Sequence, residues 1–243
     1  MAKPVKLFLS GATGRMGRAV ARLANEDPDF EVAGGIGHGS APGFPLFPDA
    51  EAAGELLSAA DAVIDFSSPE LLAGLLDRHS RTLAGKALAV GTTGLGEELE
   101  DRLRAQAESS AVLASANFSP GVSVLLALVR HASGGLGDGY RVEIVEAHHR
   151  GKTDAPSGTA LLLGRAVSEG GGRQREETGF HSLRGGGVIG EHRVFFLGER
   201  ERLELAHVAS DRDLFAEGAL RAAKWLAAKP AGWYRMEEVL GVS

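Results

Sequence analysis

The sequence predicts an α/β fold: a doubly wound parallel sheet, followed by a second α+β domain with a mixed, open sheet. Three observations carry this expectation. Short apolar segments alternate with helix-length segments along the first half of the chain. A glycine-rich turn, Gly11-Ala12-Thr13-Gly14-Arg15-Met16-Gly17, follows the first apolar segment. Beyond Ser119-Pro120-Gly121 the pattern changes, with charged and apolar residues alternating from Arg141 to Ala147.

Taken in order, Val5 to Ser10 is a short apolar strand that ends at the glycine turn, and Arg15 to Asn25 is a helix. Phe30 to Ile36 is a second strand. Residues 37 to 50 hold three glycines and three prolines and read as loop. Glu51 to Ala60 is helical, and Ala62 to Phe66 is a strand. Pro69 fits the first turn of the next helix, which runs to about Ser80. A strand at 86–90, a helix at 97–109 and a strand at 111–114 complete the alternation. A helix follows Ser119 to about His131, with a glycine-rich turn at 133–139. Arg141 to Ala147 is a half-exposed strand, Thr159 to Ser168 a helix, and 169–177 a mobile loop. Val188 to Leu197 and Arg200 to Ala209 form a hairpin-like pair, and Leu214 to Ala228 is the last long helix. These readings divide the chain into a nucleotide domain over 1–118 and a second domain over 119–210. The C-terminal segment, 211–243, returns to the first domain.

The chain has 243 residues, enough for two modest domains with real cores. Hydrophobic content of 44% and charged content of 24% are those of a soluble globular protein. A net charge of -6 offers no electrostatic reason to expect nucleic acid or an anionic membrane as partner. The absence of cysteine excludes disulfides, thiolate nucleophiles and cysteine-ligated metals. No apolar run reaches the ~18 residues of a membrane span. Residues Met1 to Lys6 enter the first strand without signal-peptide architecture, so the cytoplasm is the expected location. Eight histidines show no metal-ligand spacing, and no metal site is expected.

Gly11, Gly14 and Gly17 lie between a strand and a helix, where glycine permits a tight turn and close backbone approach to a pyrophosphate. The helix start that follows supplies free N–H groups. The reading is a Rossmann-type site for NADH or NADPH; the alternative is a turn packed for steric reasons alone. The carboxylate that would hold an adenosine ribose at the end of the second strand is missing, for the sequence there is Gly34-Gly35-Ile36-Gly37-His38. Gly91-Thr92-Thr93-Gly94 and Ser115-Ala116-Asn117-Phe118 each follow a strand, where an open parallel sheet forms its ligand crevice. Backbone groups there suit a nicotinamide carboxamide, and Phe118 suits the ring. Taken singly, each also reads as an ordinary turn.

The most informative segment is Glu146-Ala147-His148-His149-Arg150-Gly151-Lys152-Thr153-Asp154-Ala155-Pro156-Ser157-Gly158-Thr159. Strand side chains alternate faces, so His148 and His149 cannot both enter one cleft while the backbone stays extended. An imidazole titrates near ~6.5 and can donate a proton near neutrality. Lys152 supplies positive charge, and Ser157 is a good N-cap that would leave the amides of Gly158 and Thr159 facing an anion. The combination fits a reductase acting on a small dicarboxylate.

With these motifs the chain resembles the 4-hydroxy-tetrahydrodipicolinate reductase (dihydrodipicolinate reductase) family. The resemblance spans nearly the whole chain, through 11–17, Asp65-Phe66-Ser67, 91–94, Ala116 to Ser119 and 146–160. It implies reduction of a cyclic, imine-containing dicarboxylate with NADH or NADPH. It implies His148 as proton donor, Lys152 as second catalytic donor and His149 as a substrate contact. Ser157, Gly158 and Thr159 would bind a substrate carboxylate, with Arg212 a further substrate-binding residue. Gly11 to Met16, Phe66, Gly91 to Thr93 and Ser115 to Phe118 would hold the cofactor. A homotetramer built through the second domain's sheet is also implied. The chain departs from the family in lacking the acidic residue after the second strand and in a short 37–60 region.

Rival classes fit less well. Short-chain dehydrogenases need Tyr-x-x-x-Lys, but Tyr140 and Tyr234 are followed four residues on by Ile144 and Glu238. A non-catalytic nucleotide sensor would keep the glycine turn and would not need His148, His149 and Lys152 together.

Overall fold

The structure is a computed structural model that describes residues 3–39, 43–171 and 178–242. The chain forms two compact units, one of residues 1–118 with 215–239, the other of 119–214 with 240–243.

The first unit is a seven-stranded sheet in which every pairing is parallel. Its strands are β1 (Val5–Ser10), β2 (Phe30–Ile36), β3 (Leu46–Phe47), β4 (Ala62–Asp65), β5 (Ala87–Val90), β6 (Ala111–Ala114) and β11 (Gly232–Trp233). The spatial order is β11-β6-β5-β4-β1-β2-β3, so the winding reverses between β1 and β4. The five long-range strands lie where the apolar runs predict them; β3 and β11, of two residues each, are too short to carry a periodicity.

Alternation along each strand feeds two cores. Leu7, Leu9, Ile64, Ala89 and Leu113 face one side, covered by α1 (Arg15–Glu26) and α7 (Asp213–Leu226). Phe8, Val63, Leu88, Val90 and Val112 face the other. That side is covered by α2 (Gly54–Ala59), α3 (Pro69–Leu83) and α4 (Gly96–Gln106). Burial of strands on both faces is what a parallel sheet requires. Pro69 opens α3 and Ser68 caps it, accepting from the Leu71 amide. In α7, Gly218 touches the chain after β6: a Cβ there would lie 1.8 Å from the Phe118 carbonyl oxygen.

The second unit has a four-stranded mixed sheet of β7 (Arg141–His148), β8 (Thr178–Arg184), β9 (Glu191–Leu197) and β10 (Arg202–Val208), in the order β10-β9-β7-β8. β7 and β8 are parallel and the other pairs antiparallel. Helices α5 (Pro120–Leu136) and α6 (Gly158–Gly171) cover one face. There Leu125, Val129, Val142, Ile144, Leu163, Val194 and Phe196 form a separate core. After β11, α8 (Met236–Leu240) sets Met236 and Val239 into the first unit's core with Leu7 and Leu9.

Two expectations are corrected here. The glycine-rich stretch at 133–139 does not open as a turn at Ser133. α5 continues to Leu136, and only Gly137–Gly139 forms a short 3-10 turn. Likewise α6 runs to Gly171 rather than ending at Ser168; the rest of the expected loop, 172–177, lies outside the described residues. These glycines serve close helix packing. A Cβ on Gly170 would lie 2.0 Å from the Arg130 carbonyl oxygen, and one on Gly134 would lie 2.9 Å from that of Gly170. Ser133 donates to the Val167 carbonyl at 2.8 Å in the same seam.

The sequence also gives no strand at 178–184. β8 is an edge strand whose Thr-Gly-Phe-His-Ser-Leu-Arg sequence has a single large core residue, Phe180. Pairing to β7 holds it in place, and Gly179 makes room for the Glu143 carboxylate.

Candidate active site

In the first unit the parallel register sets Ser10, Asp65, Val90 and Ala114 in one row. The residues that follow them are Gly11, Phe66, Gly91 and Ser115, so four segments predicted from separate stretches meet along the edge formed by the carboxyl ends of these strands. That edge holds the winding reversal, where an open α/β sheet forms its crevice. Gly11 has φ +78°, and a Cβ would lie 2.3 Å from the Phe66 carbonyl oxygen. A Cβ on Gly17 would lie 2.2 Å from the Gly11 oxygen, so α1 sits directly against the turn. Gly14 is the N-cap of α1 and offers no side-chain cap, which leaves the helix start to an anion. Thr13 is half-buried beside Ala12, which is buried; Arg15 is exposed and Met16 half-buried.

Below this edge lies Asp65, fully buried. It accepts from the Ser67 hydroxyl at 2.6 Å and the Thr92 hydroxyl at 2.5 Å, while Thr92 Oγ1 accepts from the Ser67 amide at 2.8 Å. Burial raises its pKa, and these hydroxyls counter that in part. Thr92 is thus a buried brace between two strand ends, and Thr93 beside it is exposed. Ser115 ties its own turn, donating to the Asn117 carbonyl at 2.8 Å, and Ala116 is exposed. The expectation that the Phe118 ring packs on nicotinamide is corrected. Phe118 is 1% exposed and lies edge-on to Phe66, centroids 5.7 Å apart, as part of the core, so only its backbone can meet a ligand.

In the second unit, one face of β7 changes character along its length. Val142 and Ile144 belong to the core; Glu146 and His148, two and four residues on, continue the same face at 1% and 8% exposure. His149 is half-buried and lies just past the end of β7, at the turn through Arg150 and Gly151. Glu146 Oε2 lies 2.5 Å from His148 Nδ1. Arg184, opposite His148 in the β7–β8 register, grips both oxygens of Glu146 at 2.8 and 2.7 Å and donates to the Asp154 carbonyl at 2.6 Å. The Ser157 amide donates to Glu146 Oε1 at 3.2 Å. Ser157 Oγ accepts from the Ala160 amide, capping α6, and lies 3.2 Å from His192 Nε2. Lys152 is ion-paired to Asp154 at 2.9 Å.

Burial by itself would raise the Glu146 carboxyl. Hydrogen bonds from Arg184, Ser182 and His148 outweigh it and hold the pKa down to about 2. Burial lowers His148; the Glu146 carboxylate opposes that, and the charges of Lys152 and Arg184 add to it.

Glu146, His148, Lys152, Ser157 and the start of α6 therefore converge. A Cβ on Gly158 would meet nothing within 4 Å, so the first turn is open there, while Thr159 is largely buried. Arg212 stands apart in sequence, half-buried just before α7, and none of the ion pairs among the described residues involves it. Glu146 could have been found from the sequence, since it lies two residues before His148 on one strand. Arg184 and His192 could not, because β8 and β9 bring them in by register alone.

A family model described as dihydrodipicolinate reductase, N-terminus, matches residues 5–118, and one described as dihydrodipicolinate reductase, C-terminus, matches residues 121–240. The chain is 43% identical over 259 residues to the 4-hydroxy-tetrahydrodipicolinate reductase of Caulobacter vibrioides, with 99% of each covered. It is 46% identical over 242 residues to that of Xanthomonas euvesicatoria, covering 97% of this chain and 98% of the relative. Among solved structures, dipicolinate-bound dihydrodipicolinate reductase from Paenisporosarcina sp. TG-14 matches with a TM-score of 0.81 at 19% identity. That match covers 97% of this chain and 98% of the other, and at that identity the likeness is one of fold.

Proposed function

The chain belongs to the dihydrodipicolinate reductase family, and we propose that it reduces 4-hydroxy-tetrahydrodipicolinate to tetrahydrodipicolinate, a step in the diaminopimelate route to lysine. The observation that carries the reading is the convergence of His148, Lys152 and the open start of α6 around an ionised Glu146. The overall change consumes one reduced nicotinamide and one proton and releases water: the C4–OH bond breaks as a neighbouring ring carbon gives up a proton, and the conjugated imine so formed takes up the hydride and the proton.

The glycine turn, Phe66, Gly91 to Thr93 and the backbone of 115–118 fit a nicotinamide dinucleotide. The open, uncapped start of α1 suits its pyrophosphate, and the strand ends suit the nicotinamide. When bound, that cofactor supplies a hydride to a ring carbon conjugated to the imine. With no carboxylate at 34–38 to repel a 2′-phosphate, and exposed Arg15 two residues after Thr13, against which Gly37 packs, NADPH is accepted along with NADH.

The second unit binds the diacid. Lys152 and the amides of Gly158 and Thr159 hold one carboxylate, and His149 and Arg212 supply further contacts. His148 delivers its proton to the carbon next to the hydride acceptor. In the free protein burial keeps His148 below the ordinary imidazole range. A bound dianion opposes that, because negative charge nearby favours the imidazolium, so substrate itself loads the proton donor. Lys152 stabilises the charge that develops on the ring.

A biosynthetic reductase of this kind fits the cytoplasm, and the open face of the four-stranded sheet supports a homotetramer. It carries Leu183, 60% exposed, and Val208, 53% exposed, in one row with Ala147 and Glu191, beside Val145 and Phe195. The decisive measurement is oxidation of NADPH and NADH that depends on the pathway diacid. Purified protein that oxidises neither in its presence would refute the activity.

A further inference from the structure

Glu146, a carboxylate at 1% exposure, accepts from the Ser157 amide and both terminal nitrogens of Arg184, and its Oε2 lies 2.5 Å from His148 Nδ1. A buried ion of this kind stabilises a fold poorly unless all its partners are present, and a well-packed apolar cluster would serve the sheet as well. The partners here are also selective. They are the proposed proton donor on β7, the start of α6 and, through the Arg184 bond to the Asp154 carbonyl, the loop that carries Lys152.

We propose that Glu146, clamped by Arg184, is a positioning residue that fixes His148 as the Nδ1–H tautomer and leaves Nε2 as the nitrogen that exchanges a proton with the substrate. This rests on the proposed reduction for its purpose, but not for its test. The bidentate guanidinium leaves the carboxylate in one orientation, and Oε2 then accepts from Nδ1. Room at the other nitrogen is kept by Gly190, where a Cβ would lie 3.3 Å from Nε2. In the reactive imidazolium both nitrogens carry protons. The Nε2 proton moves to the ring carbon, whose new C–H bond uses the enamine electron pair. The N–H pair stays on Nε2, and neutral imidazole remains bonded to Glu146 through Nδ1–H. Four charged or titratable groups face His148: Glu146 on its own strand, Arg184 on β8, His192 on β9 and Lys152 on the loop.

Two measurements test this. Ring nitrogen shifts of ¹⁵N-histidine protein, with His148 assigned by its loss in His148→Asn, read the tautomer in the wild-type chain without any turnover. Nδ1–H is expected, and Nε2–H would overturn the proposal. In Glu146→Gln the amide cannot supply the carboxylate's charge. We expect kcat to fall roughly 100-fold or more, as when the orienting carboxylate of another catalytic histidine is made an amide. The basic limb of kcat/KM should move about one pH unit lower, with KM for the diacid changed only a few-fold. A merely structural ion pair would leave that limb where it was, and an unmoved limb with kcat within threefold of wild type would sink the idea. If the variant does not fold, the wild-type tautomer still decides. If the wild-type chain fails to reduce the diacid, the function falls and the tautomer measurement stands apart from it.

Discussion

His148 and His192 meet edge to face, ring centroids 5.2 Å apart at 74°. Both are largely buried, and both sit below the ordinary imidazole range with burial as the chief cause; His192 is pushed down to about 3. The His148 charge adds to the lowering of His192, so the pair resists taking a second proton.

Stability against acid follows from this pair and Glu146. Unfolded His192 takes up a proton below its ordinary 6.5, whereas the folded residue does so only near 3, so stability is lost steadily as pH falls between those values. Glu146 acts in the same direction lower down: its contribution is complete above 4.5 and disappears as pH falls toward about 2. Melting temperature should therefore be level at neutral pH and decline below 6.5. His192→Asn should flatten the decline between 6.5 and 4.5 relative to the wild type. Parallel curves for the two proteins would contradict it.

Replacing His148, the proposed proton donor, should separate chemistry from binding. His148→Gln is expected to lower kcat roughly 100- to 10,000-fold, with coenzyme affinity by titration unchanged. Near wild-type turnover would remove His148 from the reaction.

Lys152 is proposed to serve binding and charge stabilisation at once. Lys152→Ala should raise KM for the diacid and lower kcat together, so that kcat/KM falls by more than either alone. A change in KM with kcat intact would restrict Lys152 to uniform binding.

Coenzyme choice is proposed to turn on the end of β2. NADPH should bind at least as well as NADH. His38→Asp, which places a carboxylate just after β2 where the adenosine ribose is proposed to sit, should shift the affinity ratio toward NADH by roughly tenfold, about 1.4 kcal/mol. An unchanged ratio would place the 2′-phosphate elsewhere.

The α5–α6 seam gives a stability test. Gly170→Ala puts a methyl 2.0 Å from the Arg130 carbonyl oxygen and should cost about 1–3 kcal/mol. Gly135→Ala, where a Cβ meets nothing within 4 Å, should be neutral or stabilise by about 0.5–1 kcal/mol through helix propensity. Equal melting shifts for the two variants would dismiss the packing account.

Local pattern carried most of the first unit. Apolar runs flanked by turn residues mark β1, β2, β4, β5 and β6, because a strand buried on both faces must be apolar throughout. Gly11 to Gly17 and the 146–159 segment were legible for a similar reason: their chemistry is written in consecutive residues. Glycine was ambiguous. The same residue type makes a left-handed turn at Gly11 and a helix contact at Gly170, and only the neighbour brought in from elsewhere distinguishes them.

By itself, then, the sequence determined the alternating fold, the glycine turn and the presence of an imidazole and an ammonium beside a helix start. Tertiary structure alone decided that α5 and α6 run through their glycines, that Phe118 is core, and that Arg184 and His192 surround Glu146 and His148. Those partners lie more than thirty residues away along the chain, and strand register across β8, β7 and β9 sets their meeting. No periodicity within a single segment encodes a register between segments.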